Sequence, residues 1–310
     1  MGAAAQAART ANTGAVAAIG AFDGVHRGHQ ALLRAVVGRA EELGARSVCV
    51  TFDPDPERVL RPASAPLALC SVEGRVRLVQ ALGIAETYVW PFTEAVARMS
   101  PEDFVSELCA HYPLVEVWVG TSFAFGRGRS GTVDTLAALG RPHGFTVQEM
   151  APVIDDGRPV SSTRIRGLLT DGDVGEAARL LGRYYELAGE VIGGAKRGRQ
   201  LGFPTANVLP PAGQLLPAQG VYAGFAAVDG QQHAAVANVG SRPTFGEDQP
   251  LVEVHLLDFG GDIYGHRLEF AFVERVRAVQ RFASIDELRL QIGRDIERAR
   301  GLVAAAPANP

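Results

Sequence analysis

Cysteine is scarce in this chain of 310 residues: only Cys49, Cys70 and Cys109 occur, all in one half and in no CxxC pair. That number and spacing exclude a disulfide framework and a CxxC metal site, and they suit a reducing cytoplasm. Long apolar runs are missing as well. Nothing approaches the roughly 18 residues of a membrane-spanning helix, so no membrane anchor is expected. Blocks of one charge sign are also absent, and 30 Lys and Arg against 34 Asp and Glu leave a formal net charge of -4. No basic surface for nucleic acid or anionic lipid follows from that balance. The stretch Met1 to Gly14 has no uninterrupted apolar core and no basic flank, which predicts a disordered tail rather than a signal peptide; Gln6 stands where a myristoylation signal needs Ser or Thr.

What is present is a hydrophobic content of 47%, enough over this length for two domains with cores of their own. From Val16 to Glu149 five strand-like runs (15–20, 47–52, 87–90, 115–120 and 145–149) alternate with amphipathic segments. That alternation predicts a parallel sheet with crossover helices, a Rossmann-like α/β fold. Leu33, Val36, Val37 and Ala40 fall at helical spacing before a Gly44 stop, and Ser100-Pro101-Glu102-Asp103 reads as a capped helix start. A further Ser-capped helical stretch runs from Ser162 through Leu181. At Gly182-Arg183 the texture changes to Gly, Pro and β-branched residues, and strand-like runs at 186–192, 221–228, 234–239, 252–257 and 268–273 predict a small antiparallel β-barrel. Ser284-Ile285-Asp286-Glu287 reads as a capping box for a C-terminal helix with the stripe Ile285, Leu288, Ile292, Ile296 and Ala299. The boundaries read as 15–182 and 183–305.

Two constellations carry chemistry. The first strand runs into Gly20-Ala21-Phe22-Asp23-Gly24-Val25-His26-Arg27-Gly28-His29. Glycines at a strand-to-helix turn let backbone approach phosphate oxygens, the helix N-terminus offers unpaired N–H groups, and two imidazoles three residues apart can face one anion. The HxGH pattern at such a turn resembles the nucleotidyltransferase superfamily. With Asp53-Pro54-Asp55-Pro56, Phe123-Ala124-Phe125-Gly126-Arg127-Gly128-Arg129 and Ser161-Ser162-Thr163-Arg164-Ile165-Arg166, the N-terminal half resembles the FMN adenylyltransferase module of bacterial bifunctional flavin enzymes. The resemblance implies that His26 and His29 stabilise charge at the α-phosphorus of ATP, that Gly20, Phe22, Gly24 and Gly28 line the phosphates, and that Ser162, Thr163 and Arg166 contact them. Asp55 stands where the family often has His, and Ser122 where it has Asn or Asp. A bare carboxylate at about 6 Å from a phosphate charge would cost about 3 kcal/mol at an effective dielectric of about 20, so beside the main reading, adenylylation of FMN to FAD, stands the alternative of a kinase with a weakened N-terminal half.

The run from Gly193 to Asn207 (GGAKRGRQLGFPTAN) closely resembles the riboflavin kinase segment GxxxGRxxGFPTAN. Glycines there allow a backbone to wrap phosphates, and Lys196, Arg197 and Arg199 offset their charge. The match continues through Gly220-Val221-Tyr222-Ala223-Gly224, 238–246, 252–259 and Tyr264-Gly265. It implies that Gly194, Lys196, Gly198, Arg199, Gly202 and Pro204 hold ATP, that Thr205 and Asn207 supply oxygen ligands to Mg2+, and that Glu253 is the base that takes the ribityl 5'-hydroxyl proton. His255, two residues on, gains no role beyond strand alternation. Together the halves predict riboflavin, FMN and ATP as substrates, with a non-catalytic flavin-binding regulator disfavoured because a sensor needs no base.

Overall fold

The computed structural model describes residues 14–193, 202–242 and 249–307. The chain folds into two compact units: residues up to Pro66 with Val72–Val160, and Leu67–Ser71 with Ser161 onward. In the first unit, β1 (Ala15–Ile19), β2 (Arg46–Asp53), β3 (Glu86–Pro91), β4 (Leu114–Gly120) and β5 (Thr146–Met150) form one sheet in the order β3-β2-β1-β4-β5, with each neighbouring pair parallel. The crossovers carry α1 (Arg27–Leu43), α2 (Pro56–Leu60), α3 (Val72–Ala81), α4 (Glu94–Ala97), α5 (Pro101–His111) and α6 (Val133–His143). All of β1 is buried: Ala15, Ala17 and Ile19 join one apolar layer with Phe104 and Leu108, while Val16 and Ala18 join the other with Leu33 and Val36. A strand covered on both faces needs a continuous apolar run instead of alternation, and that is what 15–19 supplies. The strand order reverses between β1 and β4, so the crevice at their C-terminal ends is the topological switch point where α/β sheets bind ligands. The turns 20–26 and 120–125 both leave from that edge.

After the two-residue strands β6 (Ile154–Asp155) and β7 (Arg158–Pro159), the second unit begins with α7 (Ser162–Asp171) and α8 (Val174–Leu181). The single helical stretch expected here is broken at Gly172, whose φ of 84° closes α7; a left-handed residue ends a helix, and glycine takes that conformation without penalty. β8 (Tyr185–Ile192), β9 (Ala206–Leu209), β10 (Gly220–Val228), β11 (Gln231–Arg242), β12 (Gln249–Leu256) and β13 (Arg267–Ala278) close a barrel in the order β10-β11-β12-β9-β8-β13, and α9 (Ile285–Ala305) lies on it through Ala299 and Val303 against Val221, Ala223 and Val276. Five of these strands match the expected runs. The sixth, β9, grows straight out of the Phe203-Pro204-Thr205 segment. Asp295 of α9, 4% exposed, takes a two-pronged contact from Arg277 at 2.9 and 3.1 Å and a third bond from Gln291. No helix among the described residues is long and apolar enough to cross a membrane.

Helices α7 and α8, which the sequence places ahead of the boundary, pack in the barrel's unit. Ile165, Leu169, Val174, Leu180 and Leu181 are all fully buried, and the Leu169 carbonyl accepts from the Ala218 amide at 2.9 Å. At ~1.5–3 kcal/mol for each such side chain, their loss removes roughly 8–15 kcal/mol, as much as the ~5–15 kcal/mol stability of a whole domain. A fragment from Gly182 to Pro310 is therefore expected to be unfolded by circular dichroism at 25 °C, and one from Ser161 to Pro310 to melt cooperatively. Equal melting curves would show that the two helices contribute nothing to the barrel.

Candidate active sites

In the first unit the turn after β1 is held in a conformation few residues adopt. Phe22, Gly24 and Val25 all have positive φ, and the turn is closed by Val25 N–H on the Phe22 carbonyl at 3.1 Å and by the Gln30 side chain on the Val25 carbonyl at 2.9 Å. Its last residue, His26, caps α1: Nδ1 accepts the His29 amide at 3.3 Å. An accepting Nδ1 puts the neutral ring's proton on Nε2. The two imidazoles stack, centroids 3.6 Å apart, and the Phe22 ring meets His29 edge-on at 5.3 Å. Gly28 permits this, because a Cβ there would lie 3.1 Å from the His26 ring; at Gly20 a Cβ would press on the Phe22 ring at 3.2 Å. Burial, then His26, then the Arg75 guanidinium hold His29 well below the ordinary histidine range, so its ring is neutral at pH 7. Its buried Nδ1 meets no hydrogen-bond partner among the described residues, an unsatisfied buried polar atom of a kind that folded proteins rarely leave.

Asp55 is the N-cap of α2, its carboxylate accepting the Glu57 amide at 3.0 Å. Ser122 is exposed, and its carbonyl accepts from Arg129. Because the Asp55 carboxylate is directed at the Glu57 amide, Asp55→His with Ser122→Asn is expected to leave the FMN-to-FAD step that the resemblance implies within threefold of wild type. A rise of tenfold or more would put the Asp55 charge back on the triphosphate.

The second unit carries the remaining residues. Ser161 is the N-cap of α7, its hydroxyl accepting the Arg164 amide at 3.3 Å, which leaves Ser162 and Thr163 in the first turn and Arg166 one turn on. Arg166 Nε donates to the Leu67 carbonyl at 2.8 Å. On the barrel, β12 pairs with β9 so that Glu253 lies opposite Asn207, and with β11 so that Glu253 also lies opposite Asn238. Cross-strand partners share a face, so Asn207, Glu253 and Asn238 form one lateral row. The Asn238 amide donates to Glu253 Oε2 at 3.4 Å, and Val252 and Val254 are buried, one on either side of half-buried Glu253. Continued by one residue, the register brings Thr205 opposite His255. Gly202, with φ 88°, and Pro204 lead into this row. Gly194, Lys196, Gly198 and Arg199 lie outside the described residues.

Comparison with known proteins matches both halves. Residues 8–164 match the FAD synthetase family and residues 181–303 the riboflavin kinase family. A bifunctional riboflavin kinase/FMN adenylyltransferase of Pseudomonas fluorescens is 41% identical over 298 residues, covering 96% of this chain and 95% of its own. This chain belongs to the bifunctional riboflavin kinase/FMN adenylyltransferase family. Members of it from Escherichia coli K12 and Bacillus subtilis are 36% and 37% identical, over 93% and 92% of the chain and 92% and 91% of their own. A crystal structure described as a macrolide-efflux protein from Streptococcus pneumoniae superposes with a TM-score of 0.85 at 32% identity, covering 93% of this chain and 94% of that one.

Two further side chains, to which sequence reading assigned no role, make contacts at these sites. Arg75, on α3, is 5% exposed and donates to the carbonyls of Ala21, just after β1, and Phe52, near the end of β2, the latter at 2.9 Å. Thr51 adds a bond to the same Ala21 carbonyl at 2.9 Å. The turn after β1 is thus tied from beneath by a buried guanidinium. The available signal was an arginine four residues before buried Val79, on the apolar side of an amphipathic helix. The other is His255, which binds the Pro204 carbonyl.

Proposed function

We propose that the chain makes both flavin cofactors: riboflavin and ATP give FMN and ADP on the barrel, and FMN and a second ATP give FAD and pyrophosphate at the sheet edge. The observation that carries the first step is the row Asn207–Glu253–Asn238. It sets a carboxylate between two amides on a rigid barrel wall, with a hydroxyl, Thr205, beside it. In this reading Glu253 accepts the proton of the ribityl 5'-hydroxyl as that oxygen attacks the γ-phosphorus and ADP leaves. The Asn238 bond fixes the orientation of the carboxylate. Thr205 Oγ1 and Asn207 Oδ1 are hard oxygen donors, which fits Mg2+, an ion that keeps waters and phosphate oxygens for its other positions. Bound there, Mg2+ would neutralise phosphate charge.

For the second step the FMN phosphate oxygen is already an anion and needs no base. What it needs is charge stabilisation at the α-phosphorus. His26 offers Nε2–H, and His29 offers a neutral ring with an orphaned nitrogen, at a helix N-terminus that favours anions. Ser162, Thr163 and Arg166 form a second anion-binding helix start, assigned to the ATP phosphates. Cys49, Cys70 and Cys109 form no disulfide among the described residues, in keeping with a cytoplasmic location. Purified protein given riboflavin, ATP and Mg2+, with FMN and FAD separated by chromatography over time, tests the whole reading. FMN rising first and FAD following supports it; FMN alone removes the adenylyl half, and neither product removes both.

A further inference from the structure

The segment that delivers Thr205 to the barrel has a gap in its backbone bonding. The ladder between β9 and β12 ends at Ala206–Val254, and two residues upstream of Ala206, Pro204 has no N–H to extend a ladder. Gly202 precedes it in the left-handed region. Backbone bonding alone therefore does little to fix the turn from Gly202 to Thr205. A side chain takes over at that point: His255 Nδ1 lies 2.7 Å from the Pro204 carbonyl oxygen, and the Phe203 ring stands edge-on to the imidazole at 6.0 Å. A carbonyl only accepts, so Nδ1 carries the hydrogen, whichever state Nε2 is in. The bond runs from the strand that bears Glu253, two residues away on the same face, to the residue before Thr205.

We propose that His255 is a positioning residue for phosphoryl transfer, clamping the Pro204 carbonyl so that Thr205 and Asn207 keep register with Glu253. The inference rests on the assignment of Glu253, Thr205 and Asn207 to the kinase reaction. It concerns geometry, and phosphoryl transfer is sensitive to geometry: a displacement of about 1 Å costs on the order of a hundredfold in rate.

The two ring nitrogens allow a test that separates the clamp from general packing. In the full-length protein, His255→Asn places an amide N–H near the position of Nδ1, His255→Gln carries it out toward Nε2, and His255→Phe keeps the ring against Phe203 with no donor. The Phe and Gln variants are expected to lose roughly tenfold or more in kcat for FMN formation, with KM for riboflavin changed less than threefold, and the Asn variant to recover at least a third of the wild-type rate. FAD formation from added FMN, unchanged in all three, reports intact protein. Amide hydrogen exchange at 203–207 should quicken in the Phe and Gln variants and stay near wild type in the Asn variant, a readout independent of turnover. Wild-type kcat and exchange in His255→Phe, or an Asn variant as impaired as the Phe variant, overturns the clamp. Should His255→Phe fail to fold, losing FAD formation as well, the contrast between Asn and Gln decides alone. Glu253→Gln run alongside keeps the two ideas apart: its survival would strike the base assignment, while exchange at 203–207 still decides for or against the clamp.

Discussion

Glu253→Gln is expected to slow FMN formation by roughly 10²- to 10⁴-fold, the usual contribution of a general base, while riboflavin and ATP still bind. Gln has nearly the volume of Glu and keeps an oxygen to accept from Asn238, so the row Asn207–Glu253–Asn238 survives and only the proton acceptor is lost. The effect belongs in kcat. FAD formation from added FMN should be untouched, because its site is built on other residues. A variant that retains more than about a tenth of the wild-type kinase rate would remove Glu253 from the role of base.

The second large effect is expected on the other reaction. Changing His26 and His29 together to Ala should abolish FAD formation, at roughly 10²- to 10³-fold for each lost charge-stabilising group, while FMN accumulates. His26 also caps α1, so the Ala change carries a structural cost of ~0.5–2 kcal/mol. His26→Asn separates the two roles: Asn is a strong N-cap and accepts the His29 amide, but it has no Nε2–H to present. If His26→Asn makes FAD at the wild-type rate, the histidine is a cap and nothing more. Because burial, His26 and Arg75 depress the His29 pKa, the wild-type rate should show no loss from His29 protonation as pH falls through the ordinary histidine range near 6.5, and any such loss should come at lower pH. The same depression means that the unfolded chain takes up this proton before the folded one does, so folding stability declines as pH drops below that range.

The inner strands β1, β2 and β4 were legible because burial on both faces writes itself as apolar runs, and all five parallel strands appear where 15–20, 47–52, 87–90, 115–120 and 145–149 put them. The Ser100 and Ser284 caps were legible from local chemistry alone. What was not legible shares one cause, contacts distant in sequence. β9 spans four residues, too short for period-two alternation to register, and it is a strand because β8 and β12 flank it. α7 and α8 carry no mark saying which neighbour buries them. Arg75 and His255 each act on a backbone carbonyl, of Ala21, Phe52 or Pro204, and a carbonyl has no signature in the sequence. Asp55 shows the opposite failure. A local contact, a cap two residues ahead of Glu57, lies where sequence reading weighs only a long-range charge.

The five residues Leu67–Ser71 belong to the second unit although the chain before and after them belongs to the first. Ala68 forms a parallel bridge with Gln214, and the Gln214 side chain donates to the Leu69 carbonyl across 145 residues of sequence. A ribosome working at about 5–20 residues per second takes roughly 7 to 30 s to deliver that partner. The sheet through β5 is complete well before this interval ends, while Leu69, fully buried in the finished protein, still waits for Gln214 with its surface in water. Nascent chains should therefore be cut by protease near 67–71 until synthesis passes Gln214, and resist afterwards.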